Sequence, residues 1–259
     1  MNFIYNMLKA DKNDEKADSI NIKAFNKIAN AEKNREDKIN ELKMSMKKLA
    51  NRKKGILSTS MNDFLSVYEK IIKINFNKNE PIREIQNNFL ALNTVNEISN
   101  MVHVSNMAMT DKQMIVTFIF NFFDISSLIL KESEINLSTA RIRKKQSYLV
   151  EEKCNSECIL YDFIVGRANK ISDLLVKLNL LFMNSIISTS NIIEENGFDR
   201  NNYSIEDKKQ LMGCMNLAST IKKIIDAKIV DENGEIIEKS IEVINLGEEY
   251  LKRVNSLID

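Results

Sequence analysis

An all-α fold, an elongated bundle of long helices with coiled-coil-like packing, is what this sequence predicts, and three observations predict it. Chain breakers are scarce: one proline and six glycines in 259 residues, where a sheet protein of this length needs many more for its turns and bulges. Apolar residues recur at spacings of three and four over long stretches, the period of a helix face. Helix start and stop signals fall between those stretches. With 44% hydrophobic and 28% charged residues, the chain has an ordinary globular composition and enough apolar surface for a real core.

In order along the chain, residues 1–18 read as a short N-terminal helix followed by a charged linker at 10–18. Residues 19–259 read as a single elongated helical-bundle domain. A long helix is predicted over about 19–76, with Phe25, Ile28, Ile39, Leu42, Met46, Leu49 and Ile56 forming a seam. Leu57, Met61, Phe64, Tyr68, Ile71 and Phe76 continue it. Glu32, Arg35 and Lys53 occupy seam positions without being apolar. Gly55 costs about 1 kcal/mol against alanine in a helix interior, so a bend is expected there. Residues 77–81 form a turn signal, with Pro81 suited to the first turn of a helix carrying Ile82, Ile85, Phe89, Leu92, Val95 and Ile98.

Thr110 followed three residues later by Gln113 has the form of a capping box and opens an apolar central helix over about 114–130. Over 171–193, Leu174, Leu175, Leu178, Leu181, Phe182, Ile186 and Ile193 make the wide stripe of a buried helix, which Gly197 ends as a C-cap. The C-terminal helices fall at about 204–258. Ser204 and the acidic residues after it start one over about 205–228, and the last runs over about 239–257. Between them, Asn233-Gly234 flanked by short apolar runs predicts one small β-hairpin near 228–237.

Composition and motif content argue against several function classes. Net charge is +1, so no global field draws the chain to nucleic acid. Three unevenly spaced cysteines, Cys154, Cys158 and Cys214, make neither a disulfide framework nor a CxxC pair, and fit a reducing, cytoplasmic setting. The sole histidine, His103, lies on an apolar stretch and reads as a buried or half-buried structural residue. Without further histidines there is no Ser-His-Asp or Cys-His arrangement and no Glu-x-x-His metal motif. Neither GxxxxGK[ST] nor GxGxxG occurs. No catalytic residue, metal ligand or cofactor-binding residue is assigned, and neither an enzyme nor a small-molecule substrate is expected.

Two features point to partners instead. Basic clusters at Lys43, Lys47, Lys48, Arg52, Lys53 and Lys54 and at Arg141, Arg143, Lys144 and Lys145 could meet an anionic surface. Aromatic residues interleaved for base stacking are missing from both. The 114–130 segment is apolar almost all round, which means deep burial or lipid. Its 17 residues would span about 26 Å, but Asp124 near the middle costs roughly 2.5–3.5 kcal/mol on insertion, so the balance lies near zero.

The sequence therefore predicts a non-enzymatic interaction or scaffold protein with a protein partner or self-association. The alternative is a membrane-associated effector that inserts 114–130 conditionally, an architecture that resembles helical pore-forming proteins without sharing a residue motif. Ile115, Phe118, Phe122, Ile125 and Ile129 are the expected apolar contact face of that segment. It packs against 171–193 when stored in the bundle.

Overall fold

The computed structural model describes residues 2–74, 76, 90–121, 123, 150–231 and 236–255. Among them the α-helices are α1 (Asn2–Ile56), α2 (Asn62–Ile71), α3 (Leu92–Ser105), α4 (Asp111–Ile119), α5 (Val150–Asn196), α6 (Ile205–Ile225) and α7 (Lys239–Asn255). A π-helical turn, Leu57–Met61, joins α1 to α2 without a break, and 3-10 turns stand at Ile72–Ile74 and Arg200–Asn202. The described residues contain no strand. An all-α bundle is the fold, as the scarcity of breakers predicts.

Helix α1 is longer than expected. It has 55 residues, about 83 Å of helix, and runs straight through the expected linker at 10–18. Those residues are dense in charge but contain neither glycine nor proline. Alanine, lysine and glutamate are good helix formers, and charge alone does not break a helix. The irregularity expected at Gly55 appears just beyond it, as the π-helical turn. Three hydroxyl residues in a row explain the place. Ser58 Oγ and Thr59 Oγ1 both donate to the Gly55 carbonyl, at 3.2 and 2.7 Å, and Ser60 Oγ donates to the Ile56 carbonyl. Such back-bonding competes with the regular ladder and favours local distortion.

Helices α1 and α5 run parallel. Asn34 lies beside Cys158, Arg35 is hydrogen-bonded to Glu157, Lys38 pairs with Asp162 at 2.7 Å, and Ser45 Oγ donates to Asn169 at 3.2 Å. Further on, Ser60 donates to Asn179. Helix α6 returns antiparallel to α5, with Gln210 Nε2 donating to Ser185 Oγ at 3.2 Å. Helix α7 runs parallel to α5 again. Arg167 donates to Ile237 O and Ser240 Oγ, both at 3.0 Å, where α7 begins. Seven residues on, Gly247 lets α7 approach α5 so closely that a Cβ there would lie 2.3 Å from Leu174 Cδ2.

The core lies between these long helices. Leu49, Leu57, Met61, Phe64 and Ile71 meet Leu175, Leu178 and Phe182 of α5 and Leu211, Met215 and Ile221 of α6. Phe64 packs its ring 5.5 Å from Phe182 and 5.6 Å from Tyr68. Of the predicted N-terminal seam, Met46, Leu49 and Ile56 are buried, and Ile39 and Leu42 are half-buried. The side chains of Phe25 and Ile28 lie outside those described.

The predicted caps are present. Thr110 and Gln113 form a reciprocal capping box, and so do Ser204 and Asp207. Gly197 takes φ 67° and its N–H donates to Ile193 O at 2.9 Å, closing α5. The left-handed conformation is the reason for a glycine there. Near the expected hairpin, Val230 and Ile236 make a single antiparallel bridge, and Ile237 N donates to Ile229 O at 2.9 Å. The Asn233-Gly234 turn and the turn at 77–81 lie outside the described residues.

The expected helix over 114–130 is corrected. Helix α4 stops at Ile119, and Asn121 takes φ 59°, a left-handed conformation that asparagine tolerates. Its packing partner is also corrected: α4 lies chiefly on α1, tied there by an ion pair between Asp111 and Lys47 at 2.5 Å.

Candidate functional site

The basic cluster of α1 divides by helix face. The residues 46, 49, 50, 53, 56 and 57 keep the three-and-four spacing of the inner stripe, so Lys53 turns inward with them. It is fully buried, which removes it from any anionic-surface contact. Its Nζ donates to Ile225 O at 2.6 Å and to Ala227 O at 3.1 Å, the carbonyls left open where α6 ends. Burial lowers the ammonium pKa to about 7, with the Asp226 carboxylate opposing the shift in part. Two carbonyls receive its N–H groups. Lys53 is therefore the C-terminal cap of α6, supplied by another helix. Asn121 reinforces the same corner by donating to Asp226 O.

The other predicted surface cations differ. Lys54 is half-buried, with its Nζ on Met107 O at 3.1 Å. Lys47 is exposed and paired with Asp111. Lys48 and Arg52 are exposed and make no ion pair among the described residues. Arg141, Arg143, Lys144 and Lys145 lie outside the described residues.

The predicted apolar contact face is core where it is described. Phe118 is 0% exposed and packs edge-on against Phe123 at 5.6 Å. Ile115 is half-buried against the same core. Phe122, Ile125 and Ile129 lie outside the described residues. His103 is exposed at the end of α3, not buried as expected. The three cysteines are free and buried, and burial raises the thiols of Cys158 and Cys214 above the usual range. Among the described residues no three His, Cys, Asp or Glu side chains gather as a metal site.

The outward face of α5 is where apolar surface remains. Val176, Leu180, Met183 and Ile187 are exposed, Leu180 by 63%, and their spacing of four, three and four aligns them in one row. Leu174, Leu175, Leu178, Phe182 and Ile186 fill the inward face of the same turns. A second exposed patch lies nearer the start of α5, where Ile159 and Phe163 stand beside Ile241 of α7. The sequence holds a partial signal for the first: 171–193 is apolar on two faces, and one core can cover only one.

Between α1 and α5, over 44–59 and 176–183, the surface dips into a groove of about 930 Å³. Met44, Val176, Leu180 and Met183 supply its apolar surface, and Lys47, Lys48 and Arg52 its polar edge. Met44 is 74% exposed. Gly55 lies in the same groove, with nothing within 4 Å of where its Cβ would stand. Compared with family models, with curated proteins and with solved structures, the chain finds no significant match.

Proposed function

We propose that this protein is a non-enzymatic interaction protein that engages a partner helix along the outward face of α5. One observation carries the reading. The row of Val176, Leu180, Met183 and Ile187 is exposed on a helix whose opposite face already fills the core. A surface helix normally turns a polar face outward, and a contiguous apolar row on a folded chain marks a contact surface. Its four-three-four spacing is that of a helix-packing seam. The three buried thiols support a reducing, cytoplasmic setting for that encounter.

The test is a selection of displayed helical peptides against the full chain, followed by hydrogen exchange with the binders. Protection on α5, lost in a Phe163→Asp/Leu180→Asp variant that keeps its helical circular dichroism, is the expected result. Binders that protect other helices alone, or no binders, would remove the reading.

A second reading rests on the same helix. By length and composition, the helix Cys154–Asn196 is apolar enough to cross a membrane, and 39% of its most apolar window is buried. Flotation with anionic vesicles and parallel dye release tests it. Leakage that Leu180→Glu abolishes would replace the protein partner by a lipid one.

A further inference from the structure

We propose that the groove between α1 and α5 is a docking site for an acidic amphipathic helix of a partner protein; this rests on the interaction reading above. Three properties of the groove select that occupant. The first is length. From Met44 to Thr59 the α1 wall rises about 22 Å, or four turns of helix. A third helix laid along two parallel ones packs at about 8–10 Å from each.

The second is the distribution of apolar surface. Met44 stands at one end of the groove, and Val176, Leu180 and Met183 line its far end, level with the turn after Gly55, so the apolar surface runs as a strip along the groove and suits one apolar face of a helix. Gly55 keeps the α1 wall low, so a helix can approach the backbone there. The third is charge. Lys47, Lys48 and Arg52 edge the groove, and among the described residues no carboxylate lines it. Lys47 already has Asp111, which leaves Lys48 and Arg52 as exposed cations without an ion pair among the described residues. Carboxylates on the flank of a bound helix would complete them.

The same charge argues against a second copy of this face. A two-fold contact uses the same patch on both copies, and that patch brings no carboxylate, among the described residues, to meet Lys48 and Arg52.

The experiment uses the full chain and a labelled designed peptide of about 20 residues, with leucine at its seam positions and glutamate flanking them. A counterpart carries lysine in place of glutamate. Fluorescence anisotropy should show the acidic peptide binding at least about tenfold tighter than the basic one. Lys48→Glu/Arg52→Glu should weaken it by about tenfold or more, and raising ionic strength from about 0.1 M to about 1 M should act in the same direction. Leu180→Asp/Met183→Asp should abolish binding. These side chains are exposed, and unchanged thermal melting confirms that the variants fold.

Equal affinity for both peptides, or indifference to the Lys48→Glu/Arg52→Glu change, overturns the proposal. Binding that survives Lys48→Glu/Arg52→Glu but is lost in Leu180→Asp/Met183→Asp overturns the acidic occupant while leaving the interaction reading, which rests on that row, in place; binding kept in Leu180→Asp/Met183→Asp overturns both. Self-association lost in Leu180→Asp/Met183→Asp, without peptide binding, assigns the face to a second copy and also overturns it. Failure of the peptide together with an empty helical-peptide selection removes both readings.

Discussion

Helix α4 and the outward face of α5 are both rich in large apolar side chains, and they have opposite surroundings. Phe118 and Ile119 of α4 are sealed in the core, while Leu180 and Ile187 of α5 stand in solvent. Nothing in the local sequence of either segment separates them, because hydropathy measures what a side chain gains by burial and not whether a neighbour is there to bury it. Helix α4 is short, with nine residues, and lies on α1. Helix α5, with 47, is covered by its neighbours on one side and is apolar on both. Excess apolar surface on a long helix is thus the better mark of an unfilled contact here than the most apolar window of the chain.

The largest expected effect is in the core member of that pair. Phe118→Ala should destabilise the fold by roughly 3–5 kcal/mol, the range for a buried phenylalanine. Leu180→Ala should change stability by no more than about 0.5 kcal/mol. Denaturant unfolding of the two variants measures both. Similar losses in the two would mean that Leu180 is covered in solution and would break the comparison.

Lys53 sharpens it within one helix, where Lys48 and Arg52 face out and Lys53 faces in. Folding lowers the Lys53 pKa from 10.5 to about 7. Between those values the unfolded chain holds the proton and the folded chain does not, so stability rises with pH across the window and is lowest below pH 7. The full excursion is on the order of 5 kcal/mol. Lys53→Met keeps the shape of the side chain and removes the titration. Subtracting its unfolding free energy from that of the parent, point by point in pH, isolates the contribution. A parent and variant with parallel pH profiles from 7 to 10 would show that Lys53 is not buried.

Two glycines give the smallest effect and the finest contrast. Gly247 lies where α7 touches Leu174, and Gly166 lies on the outward face of α5 with nothing within 4 Å of its Cβ position. Gly247→Ala should destabilise by about 1–3 kcal/mol through overpacking, less what alanine returns in helix propensity. Gly166→Ala should stabilise by about 0.5–1 kcal/mol. Thermal melts would show shifts of opposite sign. A stabilising Gly247→Ala would mean that Leu174 moves aside freely and that α7 is not held close.

Helices, caps and the inner stripe were legible because each is written in local spacing. Thr110 and Gln113, Ser204 and Gly197 act on their own neighbours, and they do so in the structure as the sequence predicts. Charge density at 10–18 suggests a linker, but no residue there opposes a helix, and α1 runs through it. Lys53 carried two signals, a seam position and a place in a basic run. Local sequence could not rank them, since the acceptors on Ile225 and Ala227 lie more than 170 residues away. The end of α4 at Ile119 is not legible in local sequence for a related reason: Asn121 is held by Asp226 O, again distant in sequence.

By itself the sequence determined an all-helical chain, where most of its helices begin and end, and which stripe of each long helix is apolar. These follow from backbone propensity and from the 3.6-residue period, which act between residues a few positions apart. Only the tertiary structure decided that α1 and α5 run parallel, that Lys53 caps α6 from inside, and that the outer row of α5 stays uncovered beside a basic rim. Those depend on which surfaces meet, and the free energy of burial is indifferent to where along the chain the covering atoms come from.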